Sequence, residues 1–124
     1  MTRTILVVED NQVDRDRLEK LLSAAGYLVS TAENGAQAIS SAKRIKPDAI
    51  LMDVNMPEMD GYTTTRIIRK MQTAQSKIPI IALTADAMKG DKERCLDSGM
   101  NNYVSKPFKM EEIESVLREY VLLV

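Results

Sequence analysis

Short apolar runs alternate along this chain with segments whose apolar residues recur every three or four positions. Ile5–Val8, Tyr27–Thr31, Ala49–Met52, Ile80–Leu83 and Tyr103–Ser105 have the length and character of strands. Between the first two, Leu18, Leu21, Leu22 and Ala25 form one helical stripe, which Gly26 closes. Asn34 is placed to cap a helix carrying Ala38, Ile39, Ala42 and Ile45, and that helix must stop before Pro47. Asp60-Gly61 opens a third helix with Ile67, Ile68 and Met71. A fourth is expected over about 87–98, ending at Gly99, and a last one carries Met110, Ile113, Leu117, Tyr120 and Val121. Strict alternation of strand and helix predicts an α/β fold. Its sheet is parallel, with helices on both faces and right-handed crossovers. The unbroken Ala49 run fits a central strand covered on both sides.

The fourth helix is the poorest. Its apolar residues are Met88, Cys95 and Leu96, and Gly90 sits in its first turn, where glycine costs ~1 kcal/mol relative to alanine. That predicts a locally soft element; the plainer reading is an imperfect surface helix.

Four of the apolar runs end in residues useful to phosphoryl chemistry. The first meets Glu9-Asp10, the Ala49 run Asp53, the Ile80 run Thr84, and the last Lys106-Pro107. In a parallel sheet these ends share one edge, where open α/β sheets bind ligands. A carboxylate such as Asp53 can attack a phosphoryl group and form an acyl phosphate. The transferred group spreads charge over its oxygens and needs cations. Lys106 supplies one, and Thr84 can donate a hydrogen bond. Glu9, Asp10 and Asp53 are hard oxygen donors suited to Mg²⁺, and the Asn55 backbone carbonyl is placed to complete the set. Taken singly, each residue has an ordinary reading as a solvated loop, a cap, a helix start or a turn. Taken together they do not, because three crowded carboxylates repel one another unless a cation is present.

Composition narrows the classes. A chain of 124 residues forms one domain with a real core. Its net charge of −1 gives no argument for nucleic acid or a membrane surface as partner. No apolar stretch approaches the ~20 residues a membrane helix needs, and the N-terminus has no signal-peptide pattern. The single Cys95 excludes an internal disulfide and fits a reducing, cytoplasmic compartment. With no histidine, the chain cannot itself be a histidine kinase or a phosphohistidine carrier.

The pieces Val-Val-Glu9-Asp10-Asn11, Leu-Met-Asp53-Val-Asn-Met-Pro57-Glu-Met-Asp60-Gly61, Leu-Thr84-Ala85 and Tyr103-Val-Ser-Lys106-Pro107 resemble the receiver domain of two-component response regulators. The resemblance covers the whole chain. It implies a flavodoxin-like doubly wound sheet in the order 2-1-3-4-5, forming a single receiver domain over 1–124 with no output domain. It also implies that Asp53 is the phosphoacceptor. Asp10, Asp53 and the Asn55 carbonyl become direct Mg²⁺ ligands, with Glu9 acting mainly through water. Thr84 and Lys106 become the phosphate contacts, and the Lys106-Pro107 bond is expected to be cis. Tyr103 becomes the switch aromatic, turning inward when the Thr84 hydroxyl is drawn to the phosphoryl group. The expected donor is a histidine kinase or a histidine phosphotransfer protein. The output is a face made by the fourth helix, fifth strand and fifth helix, for a downstream protein target or onward relay. The protein is expected to be a monomer or a phosphorylation-dependent dimer, and not an enzyme beyond assisting its own aspartyl phosphorylation and dephosphorylation.

Asn55 and Asp86, two residues after Asp53 and Thr84, are small and polar, so the aspartyl phosphate is expected to be short-lived. Val13, Pro107 and Phe108 either form an apolar docking patch or leave Phe108 packed under the last helix. The charges from Asp14 to Lys20 read as a solvated helix face, and Cys95 as a small buried hydrophobe. Three other classes remain as alternatives. An aspartate-nucleophile phosphohydrolase needs an acid where Asn55 stands. A flavin mononucleotide binder needs a phosphate loop where Glu9-Asp10 stand. A receiver-like scaffold would need no intact site.

Overall fold

A computed structural model describes residues 3–85 and 91–121. The strands are β1 (Thr4–Val8), β2 (Leu28–Ala32), β3 (Ala49–Asp53), β4 (Ile80–Thr84) and β5 (Asn102–Ser105). The helices are α1 (Gln12–Ala24), α2 (Gly35–Ile45), α3 (Gly61–Arg69), α4 (Asp91–Ser98) and α5 (Met110–Tyr120). The strands form one parallel sheet in the order β2-β1-β3-β4-β5, the flavodoxin-like arrangement.

Local chemistry sets the helix ends. The side chains of Asn11, Asn34 and Asp60 accept the backbone N–H groups of Asp14, Gln37 and Thr63, capping α1, α2 and α3. Gly26 and Gly99 follow α1 and α4 at φ of 101° and 108°, the left-handed region where a Cβ is unfavourable. Lys46 adopts the same region at φ 49° and turns the chain into Pro47. Sequence periodicity missed the 3₁₀ turn over Ala74–Lys77. It also ran Met71 into α3, which ends at Arg69, and started β2 one residue early at Tyr27.

The period of two along each strand divides the core between the two faces. Leu6, Val8, Ile50, Met52, Ile80 and Ala82 pack with Ala38 and Ala42 of α2, Ile68 of α3 and Cys95 of α4. Ile5, Val7, Leu51, Ile81 and Leu83 pack with Leu18 and Leu22 of α1 and Ile113 and Leu117 of α5. β3 and β4 are buried along their whole length, each large side chain contributing roughly 1.5–3 kcal/mol. The two expectations for Phe108 are resolved in favour of packing. It is 3% exposed, lies in the cluster under α5 and is covered by the Arg17 guanidinium 5.2 Å from its ring centre, so it forms no docking surface, whereas Val13 is 75% exposed.

α4 is thinly anchored. Among its described side chains only Cys95 and Ser98 are buried, and Leu96 is exposed. The expectations that fell on Asp86, Met88 and Gly90 lie outside the described residues. No helix among the described residues is long and apolar enough to cross a membrane.

Candidate functional site

The same period of two sorts the strand-end residues. Asp53 shares the parity of Leu51, and Glu9 and Lys106 continue the parity of Val7 and Val104, toward α1 and α5. Thr84 shares the parity of Ala82, toward α3 and α4, and Tyr103 packs against the cluster on that face. The acids and the ammonium therefore meet on one side of the sheet edge, and the hydroxyl and the aromatic on the other.

Lys106 is the centre of the first group. Its Nζ donates to Glu9 Oε1 at 2.9 Å and lies 3.6 Å from Asp53 Oδ1. Asp14 Oδ2 stands 3.9 Å away. Burial opposes its charge, but the hydrogen bond it donates to Glu9 and the carboxylates of Asp53 and Asp14 outweigh that and hold the ammonium above its ordinary range. Asp53 is 2% exposed, and its Oδ1 accepts the Asn55 backbone N–H at 3.1 Å. Burial raises its carboxyl; contacts to Glu9, the Asn55 N–H and Lys106 pull it down, without reversing the sign. Glu9 is fully buried, and its carboxyl is pushed up to about 8, first by burial and then by Asp53.

Ligand oxygens of Glu9, Asp10 and Asp53 lie within 4.8 Å of one another, and Glu9 Oε2 is buried with no hydrogen-bond partner. A buried carboxylate oxygen without a donor is costly. The three carboxylates thus have the chemistry of a site for a hard divalent cation, and the orphaned oxygen gives that cation something to satisfy.

The loop after β3 returns through Glu58, at φ 67°, to Gly61, whose N–H donates to the Val54 carbonyl at 3.2 Å. A Cβ on Gly61 would meet the Asp53 carbonyl and lie 2.8 Å from Val54 Cα, so only glycine lets α3 start directly against the strand end that carries Asp53. The Lys106-Pro107 bond is cis. Thr84 is fully buried, and Tyr103 is half-buried.

The solvated face expected for α1 holds for Asp16, Arg17, Glu19 and Lys20, which are exposed, and is corrected at Asp14 and Arg15. Besides Asp14, Arg15 donates from Nη1 to the backbone carbonyl of Glu9 at 3.0 Å and pairs with Glu33 at 3.4 Å. The i, i+4 spacing from Asp10 to Asp14 was the available signal for Asp14, but its partner lies far along the chain.

A buried acid at the third strand end, two acids after the first and an ammonium after the fifth, on this sheet, define a phosphoacceptor receiver. Comparison with known proteins agrees. The family model for the response regulator receiver domain matches residues 5–118, and the chain belongs to that family, a module of two-component signalling. It is 35% identical to the polar-differentiation response regulator DivK of Brucella ovis over 121 residues, 98% of each chain. It is 40% identical over 116 residues to the sensor histidine kinase RcsC of Escherichia coli. It spans 12% of that kinase's length and 6% of the hybrid signal transduction histidine kinase B of Dictyostelium discoideum. Among solved structures it matches the receiver domain of the sensor histidine kinase PA1611 of Pseudomonas aeruginosa. That match has a TM-score of 0.88 and 46% identity over 97% of this chain and 98% of that one. The PA1611 receiver has a magnesium ion coordinated in its active-site cleft. The chemotaxis protein CheY4 of Vibrio cholerae matches at a TM-score of 0.91 with 30% identity, over 98% of this chain and all of that one.

Proposed function

We propose that Asp53 accepts a phosphoryl group from a phosphohistidine on a partner kinase or phosphotransfer protein, and that the modification switches the face built by α4, β5 and α5. The observation that carries this is the pairing of buried Asp53 with Lys106 at 3.6 Å beside the two further acids. The Asp53 carboxylate attacks phosphorus, and the histidine nitrogen leaves with its electron pair. Lys106 then exchanges part of its carboxylate pairing for a phosphoryl oxygen. Glu9, Asp10, Asp53 and the Asn55 carbonyl would hold Mg²⁺, which when bound supplies positive charge for the same oxygens. The PA1611 receiver supports this assignment, as does the unpartnered Glu9 Oε2.

Thr84 and Tyr103 carry the switch. They belong to adjacent paired strands and face the α4 side, so a hydroxyl drawn to the phosphoryl group frees space next to the aromatic ring. α4, with few buried anchors, is the element most cheaply moved. The switched face then binds a downstream protein or passes the phosphoryl group to a histidine phosphotransfer protein. The proposal places this exchange in the cytoplasm, with the domain a monomer or a phosphorylation-dependent dimer. Asn55 offers no acid to a leaving group, which argues against turnover on small phosphoesters; the domain acts on its own aspartyl phosphate alone.

Beryllofluoride, a stand-in for the phosphoryl group, tests this by NMR. With Mg²⁺, shifts are expected at Thr84, Tyr103 and α4 in the wild type and not in Asp53→Asn. A wild type that does not respond to beryllofluoride with Mg²⁺ would refute the proposal.

A further inference from the structure

On the side of the sheet edge away from Lys106, a cleft of about 350 Å³ opens between α3 and α4. Asn55, Met56, Asp60, Tyr62, Thr84 and Arg94 line it. The Arg94 guanidinium lies over the Tyr62 ring, 4.6 Å from its centre, a contact that orients the planar group while leaving its N–H edges available. Among the described residues no carboxylate lies within ion-pair distance of it. Asp60 shares the cleft, but its Oδ1 accepts the Thr63 N–H at 2.8 Å as the cap of α3. Arg66 and Asp97 line a neighbouring cavity that also includes Asp60, Tyr62 and Arg94.

Lys106 lies 3.6 Å from Asp53 on one side, and Arg94 lines the cleft beside Val54 and Asn55, the residues that follow Asp53. Lys106 is already held by three carboxylates on the α1 side. Arg94 is positioned by an aromatic ring in a cavity that reaches Asn55 and Thr84. We propose that this cleft seats the leaving group of a small acyl-phosphate donor, with Arg94 as the counter-charge for the departing carboxylate. The inference rests on Asp53 being the phosphoacceptor. In the step, a bond forms between an Asp53 oxygen and phosphorus, and the bond between phosphorus and the acyl oxygen breaks. The electron pair stays on that oxygen, and the product is a carboxylate anion beside the guanidinium. A donor with a phosphorus–nitrogen bond releases a neutral amine instead, and Arg94 has no charge to stabilise. Arg94 thus selects between donor classes and is a specificity residue.

The test compares acetyl phosphate with phosphoramidate on wild type, R94Q and R94K, with Mg²⁺ present. The rate of Asp53 phosphorylation is followed by intact mass. Arg94 is exposed, so both variants keep the fold; matched thermal unfolding checks this. In R94Q the acetyl phosphate rate is expected to fall roughly twofold to fivefold relative to the phosphoramidate rate, the scale of an exposed ion pair, and R94K is expected to recover part of the loss. An unchanged ratio of the two rates in R94Q, whether both fall together or neither moves, overturns the inference while leaving Asp53 as acceptor. A wild type labelled by neither donor overturns the phosphoacceptor reading as well.

Discussion

The replacement Glu9→Gln tests whether the acidic cluster is strained without a cation. Glu9 is fully buried, and its carboxyl is raised from an ordinary 4.5 to about 8. Asp53 beside it is raised as well. The folded protein thus keeps protons on this pair that the unfolded chain has released. Stability from this source is fully present below about pH 4.5 and is lost as pH rises through about 8. At about 1.4 kcal/mol per decade of proton affinity, the gap sets a ceiling of roughly 5 kcal/mol, and sharing of one proton by two acids brings the observed slope below it. The chain has no histidine, so few other groups titrate in that window. Thermal unfolding of metal-free protein from about pH 5 to about pH 9 should show a wild-type midpoint that falls as pH rises, at several degrees per kcal/mol. Glu9→Gln removes the charge at nearly constant shape. Its midpoint should be flatter with pH and higher than wild type at the alkaline end. Mg²⁺ should raise the wild type most where the midpoint has fallen furthest, and Glu9→Gln less. Parallel pH profiles for the two proteins would refute the reasoning.

Other expectations concern the frame around the site. Arg69 donates from Nε to the Gly99 carbonyl at 2.8 Å, from Nη1 to the carbonyls of Ser76 and Ile78 at 3.0 and 2.6 Å, and from Nη2 to Asn101 Oδ1 at 2.9 Å. Arg69→Met should cost about 2–4 kcal/mol in urea unfolding, and Arg69→Lys should recover little of it, because an ammonium cannot span that fork; a loss well under that range would contradict the clamp. Gly61→Ala should cost about 1–3 kcal/mol and slow labelling of Asp53, since α3 must back away from the Asp53 carbonyl; unchanged labelling would show that α3 does not position the strand end.

What could be read from sequence was what lies close along the chain. Asn34 was legible as a cap and Asp60-Gly61 as a helix start, and the donor each side chain accepts is only three residues on. The strand-end acids were legible because apolar runs announce where strands stop. Arg69 was not, because its acceptors are mostly backbone carbonyls on two segments apart from it in the chain and from each other. Asp14 was passed over because a mixed charge run is usually solvated, and only the fold brings Lys106 to it. Phe108 admitted two readings until α5 was seen to cover it. The division of Lys106 from Thr84 onto opposite sides of the edge follows from strand parity once the strand bounds are known, and the exact bounds are what periodicity gives least well.

The central claim is that Asp53 takes the phosphoryl group with help from a cation held by Glu9, Asp10 and Asp53 itself. Incubation with phosphoramidate, followed by borohydride trapping and peptide mapping, measures this directly. The expected result is reduction to homoserine at Asp53 alone, with loss of phosphate, that depends on Mg²⁺, disappears with a chelator and is absent in Asp53→Asn. Reduction at another residue, or at Asp53 equally well without any divalent cation, would contradict it.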